Sequence, residues 1–388
     1  TNLLNLPGDD QTNDPLIPEK LATPKNDLDA QAITKLMTKR RGRPSPETIE
    51  QLGGSDATER AIGSALEWLA RNQEGDGRWD MRKHGANGDF DTAGAGLALL
   101  CFYGWGETHN TAGKYQANVK RALEWLLKQQ KEDGDLRGEG RMYCHGIAAI
   151  ALCEAYGFTK DPKLKEPAER AIALIVASQS PSKGGWRYNP ANAKGKPSDD
   201  SDLSVTAWQY MALHSARLAG LEVSDEPFIE AQKYMTSVSS GTHGGLYAYT
   251  GGGPNPAMTA SGMFCRQLDL VPPTDPRMAE GAEYLGRHKF NNNPDYYYVY
   301  YATLALYQHQ GPVWKEWNDK LKDTFPRIQN KIGNNRGSWD PGGRHANAGG
   351  RVVSTTLSVL SLEVYYRLLP MYGFRGASDL PDAKKRGQ

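Results

Sequence analysis

The stretch ATERAIGSALEWLARNQEGDGRW (57–79), with the DTAGAGLALLCFYG that follows at 91–104, decides the fold of this chain. In the first segment apolar residues recur at spacings of three and four with charged residues opposite, which predicts an amphipathic helix with one buried face. A Gly-rich turn ends that helix. The second segment is apolar on nearly every side and rich in small residues, which predicts a helix buried all round. The unit is an outer helix, a turn and an inner helix.

The same unit recurs along the chain, twice clearly and then in three weaker copies. The further outer helices are predicted at 118–130, 166–179, 226–238, 276–288 and 312–329, and the inner helices at 144–157, 202–220, 257–268, 296–311 and 352–369. Repeats that cannot bury their faces alone stack on their neighbours. Neither terminal pair has the polar face of a solenoid cap. The sequence therefore predicts an all-α fold, an (α/α)6 toroid over residues 57–372.

The two ends of the chain differ in composition from the repeats. Residues 1–56 are rich in Pro, Asp, Asn, Lys and Thr and poor in aromatic residues, which predicts a polar linker or arm with one short helix near 28–38. The basic run KRRGR at 39–43 is more typical of a solvated linker than of a polyanion contact. Residues 373–388 are predicted to be a disordered tail.

Composition excludes several classes of protein. The 46 Lys and Arg against 45 Asp and Glu give a net charge of +1. The chain therefore lacks the excess of basic residues that is typical of nucleic-acid-binding proteins. No apolar run approaches the roughly 18 residues of a membrane span, which leaves peripheral membrane contact open. The 4 Cys lack the paired spacing of a disulfide framework. The chain begins at Thr1 without a signal-peptide pattern, so the sequence predicts no particular compartment.

The turns between the helices carry a recognisable motif. QEGDGRW (73–79) matches the Q-x-x-x-G-x-W repeat of squalene and hopene cyclases, and QSPSKGGW (179–186) is the same motif with one extra residue. KEDGDL after Gln130 lacks the Trp, and GSWD (337–340) keeps only the end. The chain thus resembles the prenyltransferase/squalene-oxidase repeat proteins, relatives of terpenoid cyclases and of protein prenyltransferase β subunits. The resemblance implies a ligand pocket ringed by the inner helices and an isoprenoid or other apolar ligand, but not a particular activity.

The residues at the N-terminal ends of the inner helices are the candidate site, because the pocket of this family opens there. Asp91, His145 and Asp202 are the candidate acids or bases, since a helix N-terminus and burial both tune a carboxyl group. The alternatives are helix capping by the two Asp and a buried, hydrogen-bonded role for the His. The residues predicted to bind ligand are Cys144, Thr206, Trp208, Tyr297, Tyr300 and Arg351.

The motifs of the related enzymes are incomplete in this chain. Class II terpenoid cyclases use D-x-D-D-T-A, but DLSVTA (202–207) has Ser and Val at the second and third Asp, and DFDTA (89–93) has Phe at the acid position. Cyclisation of the squalene type is therefore not expected. Prenyltransferases place a zinc-ligating Asp two residues before a Cys, where this chain has Met142. Lanthionine cyclases ligate zinc through a Cys and a later Cys-His pair. In this chain Cys101 and Cys144 would lie about 15 Å apart, too far to bind one metal ion.

Three hypotheses follow for the function, and no metal or cofactor is predicted for any of them. The first is a terpenoid-cyclase-like toroid that acts on or binds an isoprenoid or other apolar ligand. The second is a non-catalytic binding or scaffold toroid. The third is a carbohydrate-active toroid that uses Tyr, His and Arg side chains.

Overall fold

The computed structural model describes residues 46–190, 198–343 and 346–367. The short helix predicted at 28–38, the basic run at 39–43 and the predicted tail at 373–388 lie outside these ranges. Within them, no helix is long and apolar enough to cross a membrane.

Helices dominate the described ranges and alternate between an outer and an inner layer. The outer helices are α2 (Asp56–Arg71), α4 (Gln116–Gln129), α6 (Pro162–Ala177), α8 (Glu226–Ser237), α10 (Pro276–Arg287) and α12 (Gly311–Ile328). The inner helices are α3 (Asp91–Gly104), α5 (Met142–Thr159), α7 (Leu203–Leu218), α9 (Pro256–Leu268), α11 (Tyr296–His309) and α13 (Ala346–Leu362). The short helices α1 (Pro46–Gln51) and α14 (Val364–Arg367) flank them, and β1 (Ser239–Ser240) pairs antiparallel with β2 (Leu246–Tyr247) between α8 and α9.

The two layers close into a ring. Each inner helix contacts the next one, and α13 contacts α3, so the inner layer has no open end. On the outside, α12 contacts α2 in the same way. The chain is therefore an (α/α)6 toroid, which confirms the predicted fold.

Small residues allow the inner helices to approach closely. In α3, thirteen of the 14 residues are buried, and only the final Gly104 is partly accessible. A Cβ atom on Gly96 would lie 3.0 Å from the Cγ2 of Ile147 in α5 and 3.1 Å from its carbonyl oxygen. A larger residue at this position would push the two helices apart. The outer helices instead bury one face, as their amphipathic pattern predicts.

Glutamine side chains join each of four outer helices to the next one. The Gln73 amide donates to the carbonyl oxygens of Gly77 (2.9 Å) and of Asn118 in α4 (2.9 Å). Gln329 closes the ring in the same way, donating to Gly337 (2.8 Å) and to Ala61 of α2 (2.8 Å). The same pair of bonds links Gln130 to Gly134 and Pro167, and Gln179 to Gly184 and Pro227.

Buried indoles hold the same turns against the helices that precede them. The Nε1–H groups of Trp79, Trp186 and Trp339 donate to carbonyls in the last turns of α2, α6 and α12, at 2.9, 2.7 and 2.9 Å. All three side chains are fully buried. In the second turn, which lacks the Trp, Leu136 takes the corresponding buried place.

The sixth inner helix differs from its prediction. It was predicted over 352–369, but α13 already begins at Ala346 and ends at Leu362. Gly350 interrupts it with φ 58° and ψ −158°, a conformation that favours glycine. Since the Arg351 N–H donates to the His84 carbonyl at 2.8 Å, the regular helix starts only after this glycine.

Candidate functional site

The hollow of the toroid holds a cavity of about 930 Å³ among the N-terminal halves of the inner helices. Most of its wall is apolar or aromatic. The apolar part includes Met81, Phe90, Leu97, Ile147, Trp208, Val353 and Leu357. Trp208 is held in place by Tyr300, whose ring stacks behind it at 5.7 Å between centroids and 10° between planes. Such a cavity can take up a sizeable apolar molecule.

One side of the cavity carries three tyrosines, Tyr143, Tyr188 and Tyr249, which we call the tyrosine wall. The Tyr188 and Tyr249 hydroxyls are hydrogen-bonded to each other. The Tyr143 hydroxyl is bonded to the hydroxyl of Ser204, which also lines the cavity. The guanidinium groups of Arg141 and Arg187 each lie 4.8 Å from the centre of the Tyr188 ring. Hydroxyl and guanidinium groups are thus concentrated on this side of the cavity, whose lining elsewhere is mostly apolar or aromatic but includes Asn255 and Asp295.

Asp202 lies directly behind the tyrosine wall and is fully buried. It caps α7: its Oδ1 accepts hydrogen bonds from the Val205 N–H (2.8 Å) and the Ser204 hydroxyl (2.6 Å). Its Oδ2 accepts from Arg187 Nη1 at 3.2 Å. Burial raises the pKa of Asp202, while the Ser204, Val205 and Arg187 donors oppose that rise. The carboxylate is therefore connected to the cavity tyrosines through Ser204, which bonds Tyr143, and through Arg187, which bonds Tyr249.

Asp91 occupies the first turn of α3 and is also nearly buried. Its Oδ1 accepts from the Met81 N–H at 2.9 Å, and its Oδ2 pairs with Arg78 Nη1 at 2.5 Å. Burial raises the pKa of Asp91, and the hydrogen bonds from Met81 and Arg78 oppose the rise. Its neighbours Met81 and Phe90 line the cavity, whereas the Asp91 side chain is turned to the joint between α2 and α3.

His145 is fully buried and both of its ring nitrogens are engaged. Nδ1 accepts from the Leu136 N–H at 3.1 Å, so the proton is on Nε2, which donates to the Ala171 carbonyl at 2.9 Å. Burial lowers the pKa of His145 to about 4. It does not line the cavity. The geometry is that of a structural, neutral histidine that ties the second turn to α5.

In other repeats a threonine, instead of a histidine, accepts the hydrogen bond from the backbone N–H of the turn. The Thr206 hydroxyl accepts from the Trp186 N–H at 3.0 Å, and Thr259 and Thr355 accept from the N–H groups of Tyr247 and Trp339 at 3.1 and 3.2 Å. Thr206 is accordingly a structural residue that lies off the cavity. When the repeats are aligned on Leu136, Trp186 and Trp339, His145 occupies the position of these threonines. The sequence alone could therefore have indicated a structural role for His145.

The remaining predicted residues divide into two groups. Cys144, Trp208 and Tyr297 line the cavity, whereas Tyr300 lies behind Trp208. Arg351 is directed away, pairing with Asp340 (2.7 Å) and donating to the Ser338 hydroxyl (3.0 Å). Burial raises the pKa of the Cys144 thiol to about 11, so it stays protonated near neutral pH.

Sequence reasoning missed the tyrosine wall, although part of it follows a pattern. Tyr188 and Tyr249 each stand two residues after the aromatic residue of a turn, Trp186 or Tyr247, and Met81 and Pro341 hold the same place after Trp79 and Trp339. All four line the cavity. Within the described ranges, no three His, Cys, Asp or Glu side chains are grouped to hold a metal ion.

Comparisons with known proteins bear on the fold. No family model and no curated protein matches the sequence. Among solved structures, the chain is similar to the α-1,6-mannanase GH76A of Salegentibacter sp. HEL1_6, in an inactive variant bound to α-1,6-mannotriose. The TM-score is 0.57 at 11% identity, covering 80% of this chain and 99% of that one.

A second group of similar structures is the type II terpene cyclase MstE from Scytonema. A variant in complex with its substrate, geranylgeranyl dihydroxybenzoate, aligns with a TM-score of 0.52 at 15% identity, covering 81% of this chain and 98% of that one. A variant with the product merosterolic acid A gives 0.54 at 13% identity, covering 81% and 98%. Mannanase and cyclase share the α/α toroid, and at these identities the similarity shows the fold alone.

Proposed function

We propose that the protein binds an isoprenoid or another apolar molecule in the central cavity. The observation that carries the proposal is the apolar and aromatic lining of a cavity of about 930 Å³. Burying apolar surface contributes about 25 cal/mol per Å², so a ligand that fills such a cavity gains most of its affinity from the lining. The open hollow also argues against a purely structural scaffold. The binding of an isoprenoid compound by the similar toroid MstE supports the proposal.

The candidate acid–base groups of this site are Asp202 and Asp91. Asp202 is the better placed, since Ser204 and Tyr143 connect it to the cavity. Asp91 lies behind Met81 and Phe90. We do not include His145, because both ring nitrogens hold backbone groups. Protonation of an alkene by a cavity carboxylic acid is not part of the proposal, since Ser204 and Phe90 occupy the positions where cyclases carry the acid.

Filling the cavity should strongly weaken ligand binding. Ala93 lines the cavity from α3, and Ala93→Trp would place an indole in the space that the ligand needs. We expect the affinity for geranylgeraniol to fall at least about tenfold, which corresponds to 1.4 kcal/mol. The measurement is isothermal titration calorimetry, with circular dichroism to verify folding. Ala112→Trp, on an exposed loop, is the control and should bind normally. A folded Ala93→Trp variant with unchanged affinity would contradict the proposal.

A carbohydrate ligand is the second candidate, favoured by the tyrosine wall. Three phenol hydroxyls and the Arg141 guanidinium lie together on one side of the cavity, and aromatic rings there are available to sugar faces. The similarity to a mannanase toroid is consistent with this alternative. Titration with α-1,6-mannotriose decides between the two: binding of the trisaccharide without binding of geranylgeraniol would favour the carbohydrate.

A further inference from the structure

The position of the Tyr143 hydroxyl hydrogen can be assigned by counting donors around Asp202. The described contacts of its carboxylate oxygens are donors: the Val205 N–H, the Ser204 hydroxyl and the Arg187 guanidinium. A proton on Oδ2 would face the guanidinium. Asp202 is therefore the ionised, accepting end of the network, and each hydroxyl bonded to it must direct its only hydrogen inward.

The Tyr143 hydroxyl is determined by this assignment. Ser204 has one hydroxyl hydrogen, and it is used in the 2.6 Å bond to Asp202 Oδ1. In the bond between Tyr143 and Ser204, the tyrosine must then be the donor. Its hydrogen is directed at Ser204 Oγ, so only oxygen lone pairs remain for a ligand.

The second chain of the wall begins at Arg187. Its Nη1 pairs with Asp202 Oδ2 and donates to the Tyr249 hydroxyl, both at 3.2 Å, and Tyr249 is hydrogen-bonded to Tyr188. Either hydroxyl can be the donor in the bond between Tyr188 and Tyr249, so these contacts assign the hydrogen of Tyr143 but not those of the other two tyrosines. Tyr143 thus offers an acceptor oxygen to a cavity most of whose wall is apolar or aromatic.

We propose that the ligand is an apolar alcohol, whose hydroxyl donates a hydrogen bond to the Tyr143 oxygen while its hydrocarbon body fills the cavity. This inference rests on the proposed function and specifies its ligand class. A ketone, ether or ester of the same shape would set its own lone pairs against those of Tyr143. A site built to pair with a ligand hydroxyl discriminates strongly against the analogue that lacks it.

The test uses a matched pair of ligands, farnesol and farnesyl methyl ether, with the full-length protein in isothermal titration calorimetry. The wild type should bind farnesol at least about tenfold more tightly than the ether. In Tyr143→Phe the farnesol affinity should fall because its hydrogen-bond acceptor is lost, the ether affinity should rise because the opposing lone pairs are gone, and the two ligands should bind about equally. Tyr156→Phe removes the hydroxyl of a half-buried tyrosine of α5 that does not line the cavity, and it is the control, which should keep the wild-type preference.

Ser204→Ala tests the direction of the bond. Without the serine acceptor, the Tyr143 hydrogen is free to turn into the cavity, so the ether should gain affinity and the preference for farnesol should shrink. A purely structural role of Ser204 would weaken both ligands alike.

The outcomes separate the two proposals. Equal wild-type affinities for farnesol and its ether, or equal losses of both in Tyr143→Phe, would overturn the alcohol inference and leave apolar binding intact. Failure of both ligands to bind the wild type would overturn both proposals. Binding of α-1,6-mannotriose in their place would do the same and would favour the carbohydrate candidate.

Discussion

The wild-type protein should lose about 3 kcal/mol of unfolding free energy between pH 7 and pH 4 through His145 alone. Its pKa is lowered by burial to about 4 in the folded state, from an ordinary value of 6.5. Below pH 6.5 this histidine becomes protonated in the unfolded chain but stays neutral in the folded protein. The stabilisation contributed by His145 is therefore full above pH 6.5 and is lost as the pH falls toward 4. Each unit of difference between the pKa values of the folded and unfolded states corresponds to about 1.4 kcal/mol of unfolding free energy.

The measurement compares urea unfolding of the wild type and of His145→Thr at several pH values between 4 and 7. Threonine can accept the Leu136 N–H bond, as Thr206 does for Trp186, but it does not titrate. Between pH 7 and pH 4 the variant should lose about 3 kcal/mol less unfolding free energy than the wild type, with a constant offset from the smaller side chain. His243→Gln, at an exposed position, is the control and should retain the wild-type slope. Parallel pH profiles for the wild type and His145→Thr would refute the assignment.

Gly337→Ala should destabilise the protein by about 3–5 kcal/mol, combining backbone strain with overpacking. Gly337 has φ 94°, and a Cβ atom there would lie well under 3.0 Å from the Ser64 carbonyl oxygen of α2. Neither backbone can retreat easily, because Gln329 bonds both the Gly337 carbonyl and Ala61.

Gly333→Ala is the matched control for this substitution. Gly333 also has a positive φ, 66°, but nothing lies within 4 Å of its added Cβ. We expect it to cost only about 1–2 kcal/mol, the penalty of the left-handed backbone alone. Chemical denaturation of both variants measures the difference. Equal losses at the two positions would show that the close approach to α2 contributes nothing.

The helices were predictable because each carries its own burial pattern. The first inner helix was predicted at 91–104 and spans Asp91–Gly104, and the fourth outer helix was predicted at 226–238 and spans Glu226–Ser237. The sixth inner helix was predicted less well, since the positive φ of Gly350 depends on the approach of residues 84–86 from a distant turn. A local pattern contains no information about that contact.

The site was predictable only in part. Cys144, Trp208 and Tyr297 line the cavity, and they lie near the N-terminal ends of inner helices, where the predicted pocket opens. The bond between Tyr143 and Ser204 joins residues 61 positions apart, as does the bond between Tyr188 and Tyr249. The paths of the turns bring these pairs together, and helical periodicity does not determine such paths.

Closure of the ring also has a consequence for folding kinetics. The Gln329–Ala61 bond joins residues 268 positions apart, and the loop-closure entropy for such a separation is roughly 5 kcal/mol beyond a constant. An open array of repeats can gain or lose units from either end, whereas here the first and last pairs bury each other. We therefore expect the whole toroid to unfold as one cooperative unit, with the meeting of α2 and α12 as a late and slow event.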